Sequence, residues 1–377
     1  MSGSPGFFYT ILWFLVAIGP LIFIHELGHF LVARWCGVQI EAFSIGFGRE
    51  IAGWTDRHGT RWKVGWMPMG GYVRFAGDWD AASQADGAWR DLPEEERART
   101  FHAKPVWQRA LIVSAGPAAN FLAAILIFMG LFAATGIQVT PPVISAVAPD
   151  SAAASAGFKA GDRIVAMDGR EIDDFSDISD HVRLRAKQAV AFTVVRDAVK
   201  MDIIATPRSE VFVSRFGTKA EFGLLGIGSV RPETVFPAWY QLPVEGVKAT
   251  AATVRSMVDG LSRIIMGYIS VKELGGPVMM ARMSGEIATM GWEPFILFVA
   301  AISINLGFIN LLPVPVLDGG HLLFCGIEAL QRRPVSNRTQ EWAYGAGFAL
   351  VVGFMVMVTF NDFIRFGWFS RLGDLIG

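Results

Sequence analysis

His25-Glu26-Leu27-Gly28-His29 is set into residues 7–32, an otherwise apolar run, and the reading of that stretch decides the fold. About 20 consecutive apolar residues are enough to cross a bilayer as a helix. Two imidazoles and a carboxylate at membrane depth are costly, so ionisable groups found there usually serve a function. His25 and His29 are four residues apart, on one helical face, with both rings able to reach one ion. Glu26 lies one step round, an offset that suits holding a water beside a metal better than ligating the metal. In the H-E-x-x-H pattern two histidines bind zinc and the glutamate is the general base. The stretch reads as a zinc-hydrolase site built inside a transmembrane helix, with Zn2+ as the expected cofactor. The plainer reading, two buried histidines bonded to carbonyls or to each other, leaves three polar groups in the membrane with no task.

The totals agree with a membrane protein. Of 377 residues, 52% are hydrophobic and 18% charged, and the mean hydropathy is +0.41, too apolar for an ordinary soluble chain. A net charge of -1 supplies no basic field for a nucleic-acid partner. Cys36 and Cys325 give neither a disulfide framework nor a Cys-x-x-Cys zinc knuckle. No basic segment precedes the first apolar run, and the run holds the histidine pair, so a cleaved signal peptide is not expected.

Residues 35–109 form a polar loop. Arg34, Arg49, Arg90, Arg97, Arg99, Lys104 and Arg109 flank the neighbouring spans, and no Lys or Arg precedes the first one. The positive-inside bias puts this loop in the cytoplasm and the N-terminus outside. Within it, Met67-Pro68-Met69-Gly70-Gly71-Tyr72-Val73-Arg74-Phe75 joins a Gly-Gly turn to a β-prone run from Tyr72 to Phe75. Such a β-loop beside a protease site could lend a free edge to an extended peptide; an ordinary surface hairpin fits the residues equally. A second span is expected over 110–135. Its Gly116-Pro117-Ala118-Ala119-Asn120 reads as a helix-contact surface, with Asn120 bonding across the interface.

Apolar alternation over residues 143–147, a small-residue helix over 151–156, a helix near 175–186 and a strand over 190–196 make residues 141–207 a compact β-rich domain. Residues 208–293 are expected to be a linker. In it Val244, Val247, Ala251, Val254, Val258, Leu261, Ile265 and Tyr268 recur at helical spacing, as in an amphipathic helix, and Gly275-Gly276-Pro277 breaks it. A third apolar region, 294–327, contains Asn310-Leu311-Leu312-Pro313-Val314-Pro315-Val316-Leu317-Asp318-Gly319-Gly320-His321. Two prolines and two glycines within eight residues break a helix. Unwound backbone at membrane depth is tolerated only inside protein or against a water-filled cavity. Asp318 needs a partner there, and the histidine pair needs a third ligand. His321 is the rival ligand, and capping of the restarting helix is the plain alternative for Asp318. After the basic turn at Arg332, Arg333 and Arg338, a fourth span over 344–366 leaves both termini external. The expected fold is a polytopic α-helical membrane protein with four transmembrane helices, an inserted β-rich domain and a cytoplasmic membrane-associated β-loop.

The string Ala156-Gly157-Phe158-x-x-Gly161-Asp162-x-Ile164-x-x-x-Asp168-Gly169-x-x-Ile172 closely resembles a PDZ domain, a module that binds peptide ends by strand addition. Together, HExxH in the first span, this insert after the second and N-x-x-P-x-P-x-L-D-G in the third resemble the site-2 protease family of intramembrane zinc metalloproteases. The likeness spans nearly the whole chain and is nearest to the bacterial branch typified by the regulator-of-sigma-E protease. The resemblance implies His25, His29 and Asp318 as zinc ligands, Glu26 as general base, and His321 outside the ligand set. It implies that Asn310, with Gly70, Gly71, Tyr72 and Val73 of the β-loop, holds the substrate strand. It further implies regulated intramembrane proteolysis at the cell inner membrane, with the PDZ domain on the periplasmic side. Single-span membrane proteins would be cut within the lipid bilayer, for instance a pre-trimmed anti-sigma factor or signal-peptide remnants. One departure is a single PDZ domain where that branch has two in tandem. The rival class is a non-catalytic PDZ membrane adaptor with a structural zinc, in which Glu26 would have no task.

Overall fold

The structure, a computed structural model, describes residues 5–77, 91–172, 174–183, 185–213, 219–266 and 275–365. Among them, four helices are long and apolar enough to cross a membrane: Phe7–Trp35, Val106–Thr135, Trp292–Asn310 and Arg338–Ile364, the last within Asn337–Arg365. Helices satisfy their own backbone hydrogen bonds, which is what a lipid environment demands. The chain divides into two compact units. One is Met1–Leu131 with Pro243–Ser262 and Ser270–Gly377; the other is Phe132–Leu242 with Arg263–Ile269.

In the first unit, the first and second spans approach closely because Gly28 faces Ala115 and Ala119, where a side chain would collide. Small residues permit such contacts in lipid. The third span packs on the first through Ala17, Leu21, Phe295 and Ile302, joined by Met280 and Ile287. Those last two belong to a helix, Pro277–Thr289, that the sequence reading left inside a linker. Pro277 does not merely end what precedes it. It occupies the first turn of a new helix, where its missing N–H is no loss. Asp362 of the fourth span, fully buried, accepts the N–H groups of Gly276 at 3.1 Å and Met279 at 2.9 Å and so caps that helix. The expected amphipathic helix runs Leu242–Ile265; Tyr268 lies outside the described residues, as does residue 366 of the expected fourth span.

The polar loop holds two long strands, Ile40–Thr55 and Arg61–Phe75, where the sequence suggested only a short run at Tyr72 to Phe75. Residues 42–45 pair with 71–74 and also with 61–64. The sheet is fixed to the first two spans by a cluster of Phe30, Phe43, Val73, Phe75, Phe101 and Ile112.

The second unit is built on an antiparallel sheet in the order Arg170–Glu171, Arg163–Met167, Val190–Arg196, Val199–Ala205. Ser151 caps the helix Ala152–Ala156 by accepting the Ala154 N–H at 3.1 Å. The helix Phe175–Arg183 buries Ile178 and Val182 in the core with Ile144, Ile164, Phe192 and Val194. The boundary drawn at residue 207 is too early. Ile227–Ser229 pairs with Ile144–Val147, Glu233–Val235 pairs with Ile137–Val139, and Leu225 is buried in the same core. These pairings join residues from 80 to 98 positions apart, beyond the reach of local periodicity.

Asp162, fully buried, receives 2.7 Å bonds from Nε and Nη2 of Arg196 and the Lys159 N–H at 2.8 Å. The Arg196 guanidinium is the main cause holding this carboxyl below the usual carboxylate range. A carboxyl held low in the folded state stabilises the fold above its unfolded pKa of about 3.9. That contribution disappears as pH falls through the folded value. Asp162→Asn should therefore lower amide-exchange protection of Val190–Arg196 near pH 7, and its difference from wild type should shrink below about pH 4. A difference that acid leaves unchanged would contradict this.

Candidate active site

His25 and His29, both buried, present their Nε2 atoms 3.3 Å apart. Asp318 Oδ2 lies 3.3 Å from the first and 3.5 Å from the second. That oxygen is buried and has no hydrogen-bond partner among the described residues. Three such atoms facing one another in a triangle are an arrangement that can hold one cation. Ligands at about 2.0–2.1 Å from a tetrahedral zinc stand about 3.3 Å apart, close to the triangle observed. Among the described residues, His25, His29 and Asp318 form the group able to hold a metal. His321 does not join it; its Nδ1 is 3.0 Å from the Tyr344 hydroxyl.

Local sequence explains how Asp318 arrives there. The third span stops at Asn310 and a helix restarts over Asp318–Gln331. A side chain at Gly319 would collide with the carbonyls of Leu311 and Leu312, and one at Gly320 would lie 2.7 Å from Pro315 Cα. The two glycines let the chain fold back on itself immediately after the aspartate. Val316 stands at φ 91, a strained backbone for a β-branched residue. Such strain persists only where the surroundings enforce it, and it clusters at functional sites.

A cavity of about 320 Å³ opens on His25, His29 and Asp318, and Glu26, Tyr72, Val73, Asn310 and His321 line it. Gly70 and Gly71 belong to the same wall. Gly71 is pressed against the base candidate, since a Cβ there would lie 2.8 Å from Glu26 Cγ and 2.7 Å from the Ser44 carbonyl. Residues 71–75 pair with 40–45 on one side, and no other described strand pairs with them. The amide nitrogen of Asn310 is 3.4 Å from His25 Nε2. All nine residues singled out in the sequence therefore surround one cavity.

The sequence reading missed the contribution of the second span. His29 Nδ1 donates to the Ile112 carbonyl at 2.9 Å, which leaves Nε2 with its lone pair toward the cluster. Gly116 makes room for that ring, because a Cβ there would run into the imidazole. Asn120, read as helix contact, sits 3.0 Å from His25 Nδ1. Gly116→Ala is expected to displace His29 and lower both zinc content and activity without unfolding the spans. Retention of wild-type zinc content by that variant would contradict the packing argument.

In the other unit, a cavity of about 240 Å³ lies between the helix Phe175–Arg183 and residues 223–227, lined by Ile178, Val182, Leu224, Gly226 and Ile227. It escaped the sequence reading because half of its wall lies past residue 207.

Residues 13–354 match the model of a family described as Peptidase family M50. A protein of Rhizobium meliloti (strain 1021) bearing the name "Putative zinc metalloprotease" is 44% identical over 359 residues, covering 94% of this chain and 96% of that protein. Metalloprotease MmpA of Caulobacter vibrioides is 36% identical over 399 residues, covering 98% of this chain and 99% of its own. Among solved structures, the PDZ domain of the SdrC-like protein from Listeria monocytogenes matches 25% of this chain and 92% of that one, at 18% identity and a TM-score of 0.20.

Proposed function

The chain belongs to peptidase family M50 and is a membrane-embedded metalloprotease, and on that footing we propose a zinc-dependent intramembrane endopeptidase that cuts transmembrane segments of single-span proteins. The observation that carries this reading is the partnerless, buried Asp318 Oδ2 facing two imidazole nitrogens. His25, His29 and Asp318 would hold the ion. Zinc bound there would supply an acidified water, able to react near pH 7. Glu26 takes the proton of the attacking water and passes it to the leaving amine. A helical substrate hides its carbonyls in i to i−4 bonds, so it must unwind before attack. The edge at residues 71–74, with which no second described strand pairs, would offer main-chain partners to the unwound strand, and Asn310 in the same cavity would bond its backbone. Water reaches the site from the cytoplasmic side, toward the Arg34 end of the first span.

The same proposal puts the protein in the cell inner membrane with the β-rich domain on the periplasmic side, following the distribution of Lys and Arg. The groove along Phe175–Arg183 would receive peptide ends there. Suitable substrates are a membrane-tethered anti-sigma factor already trimmed outside, or signal-peptide remnants. The test is purified protein in detergent with a single-span substrate. Cleavage should stop on chelation and return with added zinc; cleavage indifferent to chelation would overturn the proposal.

A further inference from the structure

Asn120 is a wholly buried polar residue in the second span for which the proposed mechanism has no use. Its amide nitrogen lies 3.0 Å from His25 Nδ1, while its Oδ1 is buried with no hydrogen-bond partner among the described residues. An imidazole that offers Nε2 to a metal carries its proton on Nδ1. The group facing Nδ1 must then accept, and a half-turn of the amide brings the partnerless Oδ1 onto that proton, as the network requires. Two neighbours support the same assignment. Ile112, Gly116 and Asn120 recur at intervals of four on one helical face. The first accepts from His29 Nδ1 and the second is the space that His29 fills. Ser303 of the third span donates to the Asn120 main-chain oxygen at 2.8 Å, which fixes this part of the second span at the depth of the histidines.

We propose that Asn120 is a positioning residue for the metal site: its side-chain oxygen accepts the His25 Nδ1 proton, fixing tautomer and ring orientation so that Nε2 points at the ion. One face of the second span thus orients both imidazoles, His29 through a carbonyl and His25 through an amide. The inference rests on the zinc site proposed above.

The experiment measures zinc affinity by chelator competition, and the visible spectrum of the cobalt-substituted protein, for wild type, Asn120→Ala, Asn120→Leu and Asn120→Asp. Losing an outer partner of a metal-bound histidine typically weakens metal binding 10–100-fold. Asn120→Ala and Asn120→Leu should fall by about that much and alter the cobalt spectrum, with the metal-free thermal midpoints of Asn120→Leu and Asn120→Asp alike. Asn120→Asp keeps an acceptor and should bind zinc within a few-fold of wild type. Wild-type affinity in Asn120→Ala and Asn120→Leu, or an Asn120→Asp as weak as they are, would overturn the proposal while leaving the zinc site standing. If Asn120→Leu does not fold, Asn120→Ala against Asn120→Asp decides the matter. A wild-type protein that binds no zinc overturns both readings.

Discussion

Glu26→Gln should reduce cleavage of a single-span substrate by about 10²–10⁴-fold, the usual contribution of a positioned general base, while zinc content stays at the wild-type level. Gln matches Glu in size, so it keeps the contact with Gly71 that a larger or displaced side chain would break. What it lacks is the ability to take a proton from water. Glu26 lines the cavity but does not belong to the His25, His29 and Asp318 group proposed to hold zinc, so its loss should spare the metal. Equal turnover by Glu26→Gln and wild type would remove Glu26 from the chemistry. Loss of zinc together with activity would instead make it a ligand.

Asp318→Asn is expected to weaken zinc binding by more than about 100-fold, beyond the range for losing a merely orienting partner. The carboxylate supplies the only formal negative charge among the three residues proposed to hold zinc, and the neutral amide that replaces it is a poor zinc ligand. His321→Ala provides the control. That residue shares the cavity, yet its ring is bonded to Tyr344 and lies outside the His25, His29 and Asp318 group, so its removal should leave zinc in place. The reverse pattern, with His321→Ala stripping the metal and Asp318→Asn keeping it, would exchange the roles assigned to the two residues.

Much of this site is legible in the sequence because its parts are stated locally. An apolar run long enough to span, interrupted by His25, Glu26 and His29, declares both the membrane and the chemistry. The Pro and Gly cluster around Asp318 declares broken backbone that must face protein or a water-filled cavity. What stays hidden depends on which elements meet. Asn120 reads as helix glue until the second span is known to face His25. The long strand Ile40–Thr55 is hard to see because glycines interrupt its apolar alternation, two of them, Gly46 and Gly48, at φ 84. The end of the β-rich domain is set by Ile227–Ser229 pairing back to Ile144–Val147 and Glu233–Val235 to Ile137–Val139, contacts no local pattern announces. Gly276-Pro277 carries two meanings, the end of one helix or the start of another, and only the cap from Asp362 selects between them.

Anomalous diffraction at the zinc absorption edge, from crystals of the purified protein, tests the metal site directly. One peak is expected about 2.0–2.2 Å from His25 Nε2, His29 Nε2 and an Asp318 carboxylate oxygen. A peak at Cys36, Cys325 or His321 instead, or Asp318 turned away from a zinc that the two histidines hold, would contradict the site on which the proposed chemistry depends.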